Sequence, residues 1–408
     1  MKMKRIMIAA LVLSVFAASA AADVLYTTVD ASYTSGTLGA IGENLLVTQP
    51  LVSNLTGDTL LFTFKNGGDD RVVVVDKNAD GTGDRIFVYD PKPKNWSIVG
   101  NKELPGAVNI HGMTVSSVAA ASGKLYIAAY GNIASNKAGA VLAASTTDYT
   151  LLPIEPYTPK ADGEYLPHGE KVIVLGDYIY ALFSMGNSSF EYAPSKLVKL
   201  DLNLNFVAEY EVGKNAIGMT PWDNGLAVAY YDGYQGQGSV GGVDFFHPTT
   251  GLVTSLVDGV KLGGGGMVPS VCRADANTLY FIGQQYDENY VSTSKLYRLR
   301  GGAIKEIADI SSAGYTYSVN YDAKNGVVAV AAGDSIVLYE NSDGTELGKF
   351  NPAKLGGNVY SLAILDSASG GGSGGGGSGG GCDVGVLGLL VLIIPAFLFV
   401  TRKKSRAW

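Results

Sequence analysis

The clearest evidence for the fold is the stretch Ser122-Gly-Lys-Leu-Tyr-Ile-Ala-Ala-Tyr130, because its pattern is repeated further along the chain. A turn containing Gly or Asn is followed by a short run rich in Val, Ile, Tyr and Ala, a composition typical of β-strands. The other copies are Leu175-Gly-Asp-Tyr-Ile-Tyr-Ala-Leu-Phe183, Asn224-Gly-Leu-Ala-Val-Ala-Tyr230, Ala276-Asn-Thr-Leu-Tyr-Phe-Ile282 and Asn325-Gly-Val-Val-Ala-Val-Ala331. The spacing of about 45–50 residues predicts a repeated unit of several strands.

Each copy is followed by further strand-like runs, such as Lys196 to Asp201 and Phe206 to Val212 in one unit. No long amphipathic helical pattern interrupts residues 23–366. We therefore predict an all-β fold, a β-propeller whose blades are repeats of a small sheet. Six blades are expected near 51–105, 106–160, 161–213, 214–262, 263–311 and 312–352.

The two ends of this region supply a seventh blade. Its inner strand is expected at Asn358 to Leu365, and its other strands at Val24 to Val29, Gly36 to Ile41 and Leu45 to Gln49. Pairing the two ends removes the last free sheet edges, which otherwise favour aggregation. The prediction is a seven-bladed β-propeller closed by N- and C-terminal strands. A count of six or eight blades and a pair of β-sandwich domains are the alternatives.

Composition limits the possible partners. The 408 residues are 47% hydrophobic, which is enough for a large core, and the formal charge is -7. Without the charged residues of the two termini, the charge of residues 23–366 is about -13. Nucleic-acid binding depends on clustered Lys and Arg, so no nucleic-acid partner is expected. Two cysteines allow at most one disulfide, so the fold does not depend on a disulfide framework.

Residues 1–22 have the features of a secretory signal peptide. Lys2, Lys4 and Arg5 form a positive region, an apolar run follows from Ile6 to Phe16, and small residues before Asp23 suit cleavage. The apolar run is too short for a membrane anchor. We expect export through the Sec pathway.

The C-terminal end has three parts in a fixed order. Residues 367–381 form a Gly/Ser linker, which behaves as a flexible coil. Residues 384–400 are apolar and uncharged, and as a helix they rise about 26 Å, close to the thickness of a bilayer core. A basic tail follows from Arg402 to Arg406. A transmembrane helix with a cytoplasmic tail is predicted, and a buried core helix is the alternative.

This order of parts resembles the C-terminal protein-sorting signals of bacteria. Gly379-Gly380-Gly381-Cys382 before the apolar run is most similar to the Synerg-CTERM type, which has a Gly-Gly-Cys motif. The related GlyGly-CTERM type is processed by rhombosortases, which are intramembrane serine proteases. For residues 382–408 the resemblance implies a rhombosortase-like processing protease as partner, removal of the helix and transfer to another envelope anchor. It places processing or modification at Cys382, and the alternative is a juxtamembrane cysteine beside a permanent helix.

The segment from Val72 to Tyr89 contains the clearest chemical motif. Oxygen-bearing side chains alternate at Asp76, Asn78 and Asp80 and return at Asp84, Gly81 stands at the bend, and Thr82 would supply its backbone carbonyl. Alternate spacing directs oxygens at one centre, and such ligands suit Ca²⁺. The motif is similar to the calcium hairpin of the FG-GAP repeats in integrin propellers, which implies a structural calcium ion. A hairpin turn without an ion is the alternative.

Candidate ligand-binding residues are His111 and His168, which precede the inner strands of adjacent blades, and the aromatic residues Trp222, Tyr231 and Tyr234. Exposed Tyr and Trp favour binding, because they offer rigid area with one polar group. Packing within strands and a backbone hydrogen bond of each histidine are the alternatives. No catalytic residue is assigned, because no nucleophile-elbow or metalloprotease motif is present.

These features predict a module displayed on the cell envelope, at least transiently membrane-anchored, that binds an extracytoplasmic protein, peptide or glycan. An enzyme is the less favoured class. A propeller hydrolase or lyase acting at the central channel through His111 and His168 is one alternative. A structural component of a surface layer is the other.

Overall fold

The computed structural model describes residues 23–365 apart from 31, 33, 43–46, 56–58, 77–83, 92–96, 103–113, 132–136, 233–239, 263–266, 287–290, 312–315, 324 and 333–334. The signal peptide, the Gly/Ser linker and the sorting signal with its apolar segment 384–400 lie outside these residues. Within the described part of the chain, no helix is both long enough and apolar enough to cross a membrane.

The described chain is almost entirely β-structure, which confirms the predicted fold class. The strands in chain order are β1 Asp23–Val29, β2 Gly36–Ile41, β3 Val47–Leu55, β4 Thr59–Asn66, β5 Asp69–Asp76, β6 Arg85–Asp90, β7 Ser97–Lys102, β8 Val115–Ala121, β9 Lys124–Ala129, β10 Ala140–Ser145, β11 Leu166–Leu175, β12 Tyr178–Gly186, β13 Tyr192–Asp201, β14 Phe206–Lys214, β15 Ala216–Trp222, β16 Gly225–Tyr230, β17 Gly242–His247, β18 Leu252–Asp258, β19 Met267–Asp275, β20 Thr278–Tyr286, β21 Ser292–Arg300, β22 Ala303–Asp309, β23 Thr316–Asp322, β24 Val327–Ala332, β25 Ser335–Glu340, β26 Glu346–Phe350 and β27 Asn358–Leu365. A 3-10 turn at Gly259–Leu262 and a one-turn helix at Pro352–Leu355 are the helical elements of this part.

The strands form seven antiparallel sheets, so the predicted seven-bladed propeller is confirmed. From the axis outward, blades 1 to 6 are β4–β7, β8–β10, β11–β14, β15–β18, β19–β22 and β23–β26. Blade 7 has the order β27-β1-β2-β3, and its β27 pairs with β1 from Asp23↔Leu365 to Val29↔Asn358. The two ends of the chain therefore close the ring, as expected.

Two boundaries differ from the sequence prediction. Strand β3 runs to Leu55, and blade 1 begins at Thr59 instead of residue 51. Pro50 lies inside β3, which is the outermost strand of blade 7. An outermost strand tolerates proline because the missing N–H faces away from the sheet.

Blade 2 has three strands, and an irregular segment replaces the fourth. Tyr157 forms a bridge to Val141 and Leu151 to Ala144, and the Leu152 N–H donates to the Ala143 carbonyl at 2.9 Å. The same segment contains prolines at 153, 156 and 159. Proline cannot donate to a ladder, so this segment covers the edge of β10 without offering a new edge for another chain.

The core consists of the layers between neighbouring blades. Val72, Val73, Val74 and Val75 are consecutive and all fully buried, because both faces of a blade pack against neighbours. Serine hydroxyls also join inner strands across these layers. Ser117 accepts the Val172 N–H at 3.3 Å, and the same contact is repeated by Ser270 with Val319 and by Ser361 with Leu61.

The propeller has two unlike faces. On the turn face, the first and second strands of a blade are joined by two residues in blades 1 to 5 and four in blade 6. On the loop face, the connections between second and third strands, and those from one blade to the next, contain up to twelve residues outside blade 2. Long connections are the usual carriers of binding residues, so the loop face is the candidate functional face.

Candidate functional site

Ionisable side chains are unevenly distributed over the seven inner strands. In the halves of these strands nearest the loop face, His168 and Glu170 are the only His, Asp or Glu residues, and both belong to β11. They are 0% and 1% exposed. Burying ionisable groups costs free energy, so a single blade that departs from the repeat in this way marks a candidate site.

His168 joins blades 2 and 3. Its Nδ1 lies 3.0 Å from the carbonyl oxygen of Tyr130, and its ring stacks on the Tyr130 ring with centroids 4.8 Å apart. Because a carbonyl only accepts, this contact assigns the proton to Nδ1. Burial lowers the pKa of His168 below 6.5, and the carbonyls of Tyr130 and Gly186 act in the opposite direction. The imidazole is therefore neutral at pH 7.

Glu170 occupies a bulge in β11. The register between β11 and β12 shifts between Gly169 and Lys171, so Glu170 is the extra residue. Ser184 lies at the matching shift between β12 and β13, and its hydroxyl donates to Glu170 Oε1 at 2.5 Å. Bulges redirect side chains and are common beside functional sites.

The charge of this carboxylate acts on two tyrosine side chains. Burial raises the pKa of Tyr130, and the negative charge of Glu170 and the neighbouring Tyr192 add to the shift. The pKa of Tyr231 is raised by burial of its phenol group and then by the charge of Glu170. Both phenols therefore keep their protons and can donate as well as accept hydrogen bonds.

Close backbone contact with blade 2 fixes the segment that carries His168 and Glu170. The Gly139 N–H donates to the Pro167 carbonyl at 2.6 Å, and the Ser116 hydroxyl lies 2.5 Å from the Gly169 carbonyl. A Cβ added at Gly139 would collide with backbone atoms of Ala129, Tyr130 and Gly169. Glycine is required here because two backbones meet without room for a side chain.

A partly exposed rim borders the buried cluster. Tyr231 and Asp232 follow β16, and the Tyr231 N–H donates to the Asn215 carbonyl at 3.2 Å. Three non-glycine residues in loop-face connections have positive φ, namely Phe190 at 59°, the buried Asn215 at 50° and Asp232 at 71°. Left-handed backbone of this kind is unfavourable for bulky residues and is often found at ligand sites.

Among the residues predicted from sequence, the structure brings His168 and Tyr231 to this cluster. His111 and Tyr234 lie outside the described residues. Trp222 is at the other end of β15, where it pairs with Gly225, whereas Ala216 pairs with Tyr230. Trp222 therefore belongs to the turn face and does not share a face with Tyr231, because β15 runs the full depth of the propeller between them.

The structure describes the two ends of the calcium-like hairpin, Asp76 and Asp84. Asp76 ends β5 and is fully buried, and Asp84 precedes β6 and is 3% exposed. Asp84 Oδ2 accepts the Val115 N–H at 2.6 Å, which ties this end of the hairpin to β8. Asn78, Asp80 and Thr82 lie outside the described residues. Within the ranges that are described, no three His, Cys, Asp or Glu side chains form a metal-binding group.

Comparison with known proteins supports the fold. No protein-family model and no curated protein sequence matches the chain. Among solved structures, a hypothetical selenium-binding protein from Sulfolobus tokodaii matches with a TM-score of 0.60 and 11% identity, over 86% of this chain and 96% of its own. A provisionally assigned 6-phosphogluconolactonase from Bacteroides fragilis matches with a TM-score of 0.57 and 11% identity, over 85% and 99%.

A second protein with the same provisional lactonase assignment, from Bacteroides uniformis, has a TM-score of 0.57 and 12% identity, over 85% of this chain and 100% of its own. At such low identity the likeness establishes the fold alone. The three matches cover between 96% and 100% of the solved chains.

Sequence reasoning did not find Glu170, Ser184 or Tyr130. One signal was available, because His168-Gly169-Glu170-Lys171 opens an inner strand where the other blades have uncharged residues. Ser184 and Tyr130 are separated from this tetrapeptide by other strands, and only the pairing of those strands brings them together.

Proposed function

We propose that the protein is a binding module displayed on the cell envelope, and that its loop face takes an extracytoplasmic protein, peptide or glycan. The observation that carries the proposal is the position of the His168–Glu170 cluster. It lies on the loop face, whereas both ends of the propeller chain, Asp23 and Leu365, lie on the turn face. A tether at either end therefore leaves the candidate site uncovered.

The rim supports binding of a macromolecular or glycan ligand. Tyr231 and Asp232 are partly exposed as residues, and the buried phenol group of Tyr231 is close enough to Glu170 for that charge to raise its pKa. Tyrosine combines a rigid apolar surface with a hydroxyl, and such residues dominate binding energy at interfaces. Asp232 has φ 71°, a left-handed conformation that aspartate tolerates better than most residues.

The alternative of a hydrolase or lyase has less support. His168 is fully buried, and its Nδ1 is bonded to a backbone carbonyl. Glu170 is 1% exposed and bonded to Ser184. A general acid or base must reach its substrate, so these two groups suit the support of a rim better than catalysis. The lactonase assignment of two similar propellers does not extend to this chain at 11% and 12% identity.

The terminal segments are the basis for the cell-envelope location in this proposal. Cleavage after residue 22 exports the chain, and the apolar segment 384–400 holds it in the membrane. A rhombosortase-like protease then acts near Cys382. A structural role in a surface layer is the remaining alternative. It predicts that the protein associates with copies of itself, whereas a binding module is expected to bind a different molecule.

A structural calcium ion in the hairpin 76–84 is a further part of the proposal. Asp76, Asn78, Asp80 and Asp84 supply carboxylate or amide oxygens, and Thr82 supplies its carbonyl. Bound calcium would join the ends of β5 and β6 on the loop face.

Capture of envelope components by the detergent-solubilised full chain tests the proposal. The comparison uses Tyr231→Ala on the loop face and Tyr178→Ala on the turn face, where Tyr178 is 38% exposed. We expect the first variant to lose a component that the native chain retains, and the second to keep it. The experiment is repeated with and without calcium. If both variants capture the same components as the native chain, the loop face is not the binding face.

A further inference from the structure

We infer that the turn face is held toward the membrane and that the loop face points away from it, so the partner approaches from outside and is not a lipid of the anchoring membrane. This inference rests on the proposed C-terminal anchor. Its structural basis is the exit point of the chain, because Leu365 ends β27 on the turn face. Strand β27 is the inner strand of blade 7, so the exit lies near the propeller axis.

The size of the propeller explains why the exit point determines the orientation. Four strands separate the axis from the rim, and at about 4.8 Å per strand this distance is about 19 Å. Strand β12 has nine residues, so the propeller is about 30 Å deep. If the loop face lay on the membrane, the chain leaving Leu365 would have to cross the turn face and descend the rim. That path is about 50 Å.

The linker is short compared with this path. Residues 366–383 connect Leu365 to the apolar segment, and they are dominated by Gly and Ser. A flexible chain of this length has a root-mean-square extension of about 23 Å. An extension of about 50 Å is more than twice that value, so for a Gaussian chain fewer than about one molecule in a hundred would be inverted.

The same orientation follows if the helix is removed. Processing near Cys382 and transfer to another anchor would leave the linker attached to Leu365, so the turn face would still lie nearest the point of attachment. The cluster of His168 and Glu170 and the rim with Tyr231 would remain on the far side in both cases. The orientation therefore depends on the exit point and linker length, and not on the kind of anchor.

Distance-dependent energy transfer tests this inference on the full chain in liposomes. Asp177 and Ser188 flank the two ends of β12, and both are exposed, so Asp177→Cys and Ser188→Cys place a donor dye on the turn face and the loop face of one blade. Cys382→Ser removes a native thiol that the dye would otherwise label, and the other native cysteine, Cys272, is buried. An acceptor dye is attached to the lipid headgroups.

We expect more efficient transfer from position 177 than from position 188, because the two differ in depth by the length of β12, about 30 Å. Lengthening the Gly/Ser linker about fourfold doubles its extension and should reduce the difference. Equal transfer from both positions, or more transfer from position 188, would overturn the inference while the proposed anchor stands. A chain that does not associate with the liposomes would instead overturn the proposed anchor and the orientation with it.

Discussion

Asp23 and Leu365, the two ends of the described chain, are partners in the antiparallel pair of β1 and β27. This pair is the one place in the ring where the first and second strands of a blade are not joined by a turn. The hydrogen bonds of β1 to β27 therefore replace a covalent connection, and ring closure depends on the last eight residues of the propeller, Asn358–Leu365. The chain must be nearly complete before the ring can close.

A chain that ends at residue 357 is expected to lose cooperative unfolding, because blade 7 loses its inner strand and β1 becomes an open edge. Leu362 and Ala363 are fully buried in the layers on either side of β27, so truncation also removes core contacts. A chain that ends at residue 366 is the control and keeps β27. Thermal unfolding followed by circular dichroism measures both. A single sharp transition in the shorter chain would show that closure by β27 is dispensable.

The close contact at Gly139 gives a second prediction. Gly139→Ala places a Cβ against backbone atoms of Ala129, Tyr130 and Gly169, none of which can rotate away. We expect the free energy of unfolding to fall by more than about 3 kcal/mol. Gly176→Ala is the control, since Gly176 has φ 61° but nothing near its would-be Cβ, and its cost is about 1–2 kcal/mol. Urea denaturation measures the free energy of unfolding of both variants. An equal decrease in the two would mean that blades 2 and 3 can separate slightly without a loss of stability.

The propeller could be predicted from sequence because its local signals repeat. A glycine turn followed by a Val- and Tyr-rich run, as at Gly123 and again at Gly176, fixes a strand pair with little help from the rest of the chain. The missing fourth strand of blade 2 was not predicted, because the prolines of 151–160 were not weighed against the expected repeat.

The candidate site was predictable only in part. His168 stood out as one of three histidines, but the role of Glu170 depends on a bulge whose register is set by pairing with β12. Tyr130 and Ser184 reach the cluster through the packing of different strands. The candidates Trp222 and Tyr231 lie on opposite faces because β15 separates them, and sequence alone did not show this.

The buried imidazole of His168 predicts acid sensitivity. Burial lowers its pKa in the folded state below 6.5, so the unfolded chain binds more protons in mildly acidic solution. Stability from this group is fully present above the unfolded pKa of about 6.5 and is lost as pH falls below it, by at most about 1.4 kcal/mol per pH unit. His168→Gln should flatten the pH dependence of the free energy of unfolding between about pH 7 and 5.

Asp244 acts with the opposite sign and serves as a comparison. Burial raises the pKa of this carboxyl above 3.8, and the Gly213 N–H, which donates to its Oδ2 at 2.9 Å, acts against the shift. The folded state therefore gains stability from Asp244 as pH falls through its raised pKa. Asp244→Asn should make the acid loss of stability steeper, whereas His168→Gln should make it shallower. A profile unchanged by His168→Gln would show that His168 does not contribute to acid sensitivity.

The hairpin at 76–84 gives the last prediction, because one of its carboxylates has two separable tasks. Asp84 Oδ2 accepts the Val115 N–H and so ties the hairpin to blade 2, and in the proposal the same carboxylate is a calcium ligand. Calcium at about a hundred times its dissociation constant should stabilise the native chain by about 2.7 kcal/mol, seen as a higher unfolding temperature. Asp80→Ala should abolish that increase, because it removes a ligand oxygen.

Asp84→Asn distinguishes the two tasks. The amide oxygen of asparagine still accepts the Val115 N–H, so this tie to blade 2 should remain, whereas the lost charge should weaken calcium binding. Asp177→Asn, an exposed carboxylate on the turn face, is the control and should leave the calcium response intact. Calorimetric titration that gives no heat with the native chain, together with no thermal shift, would reduce the hairpin to an Asp- and Asn-rich turn whose carboxylates only cap neighbouring backbone.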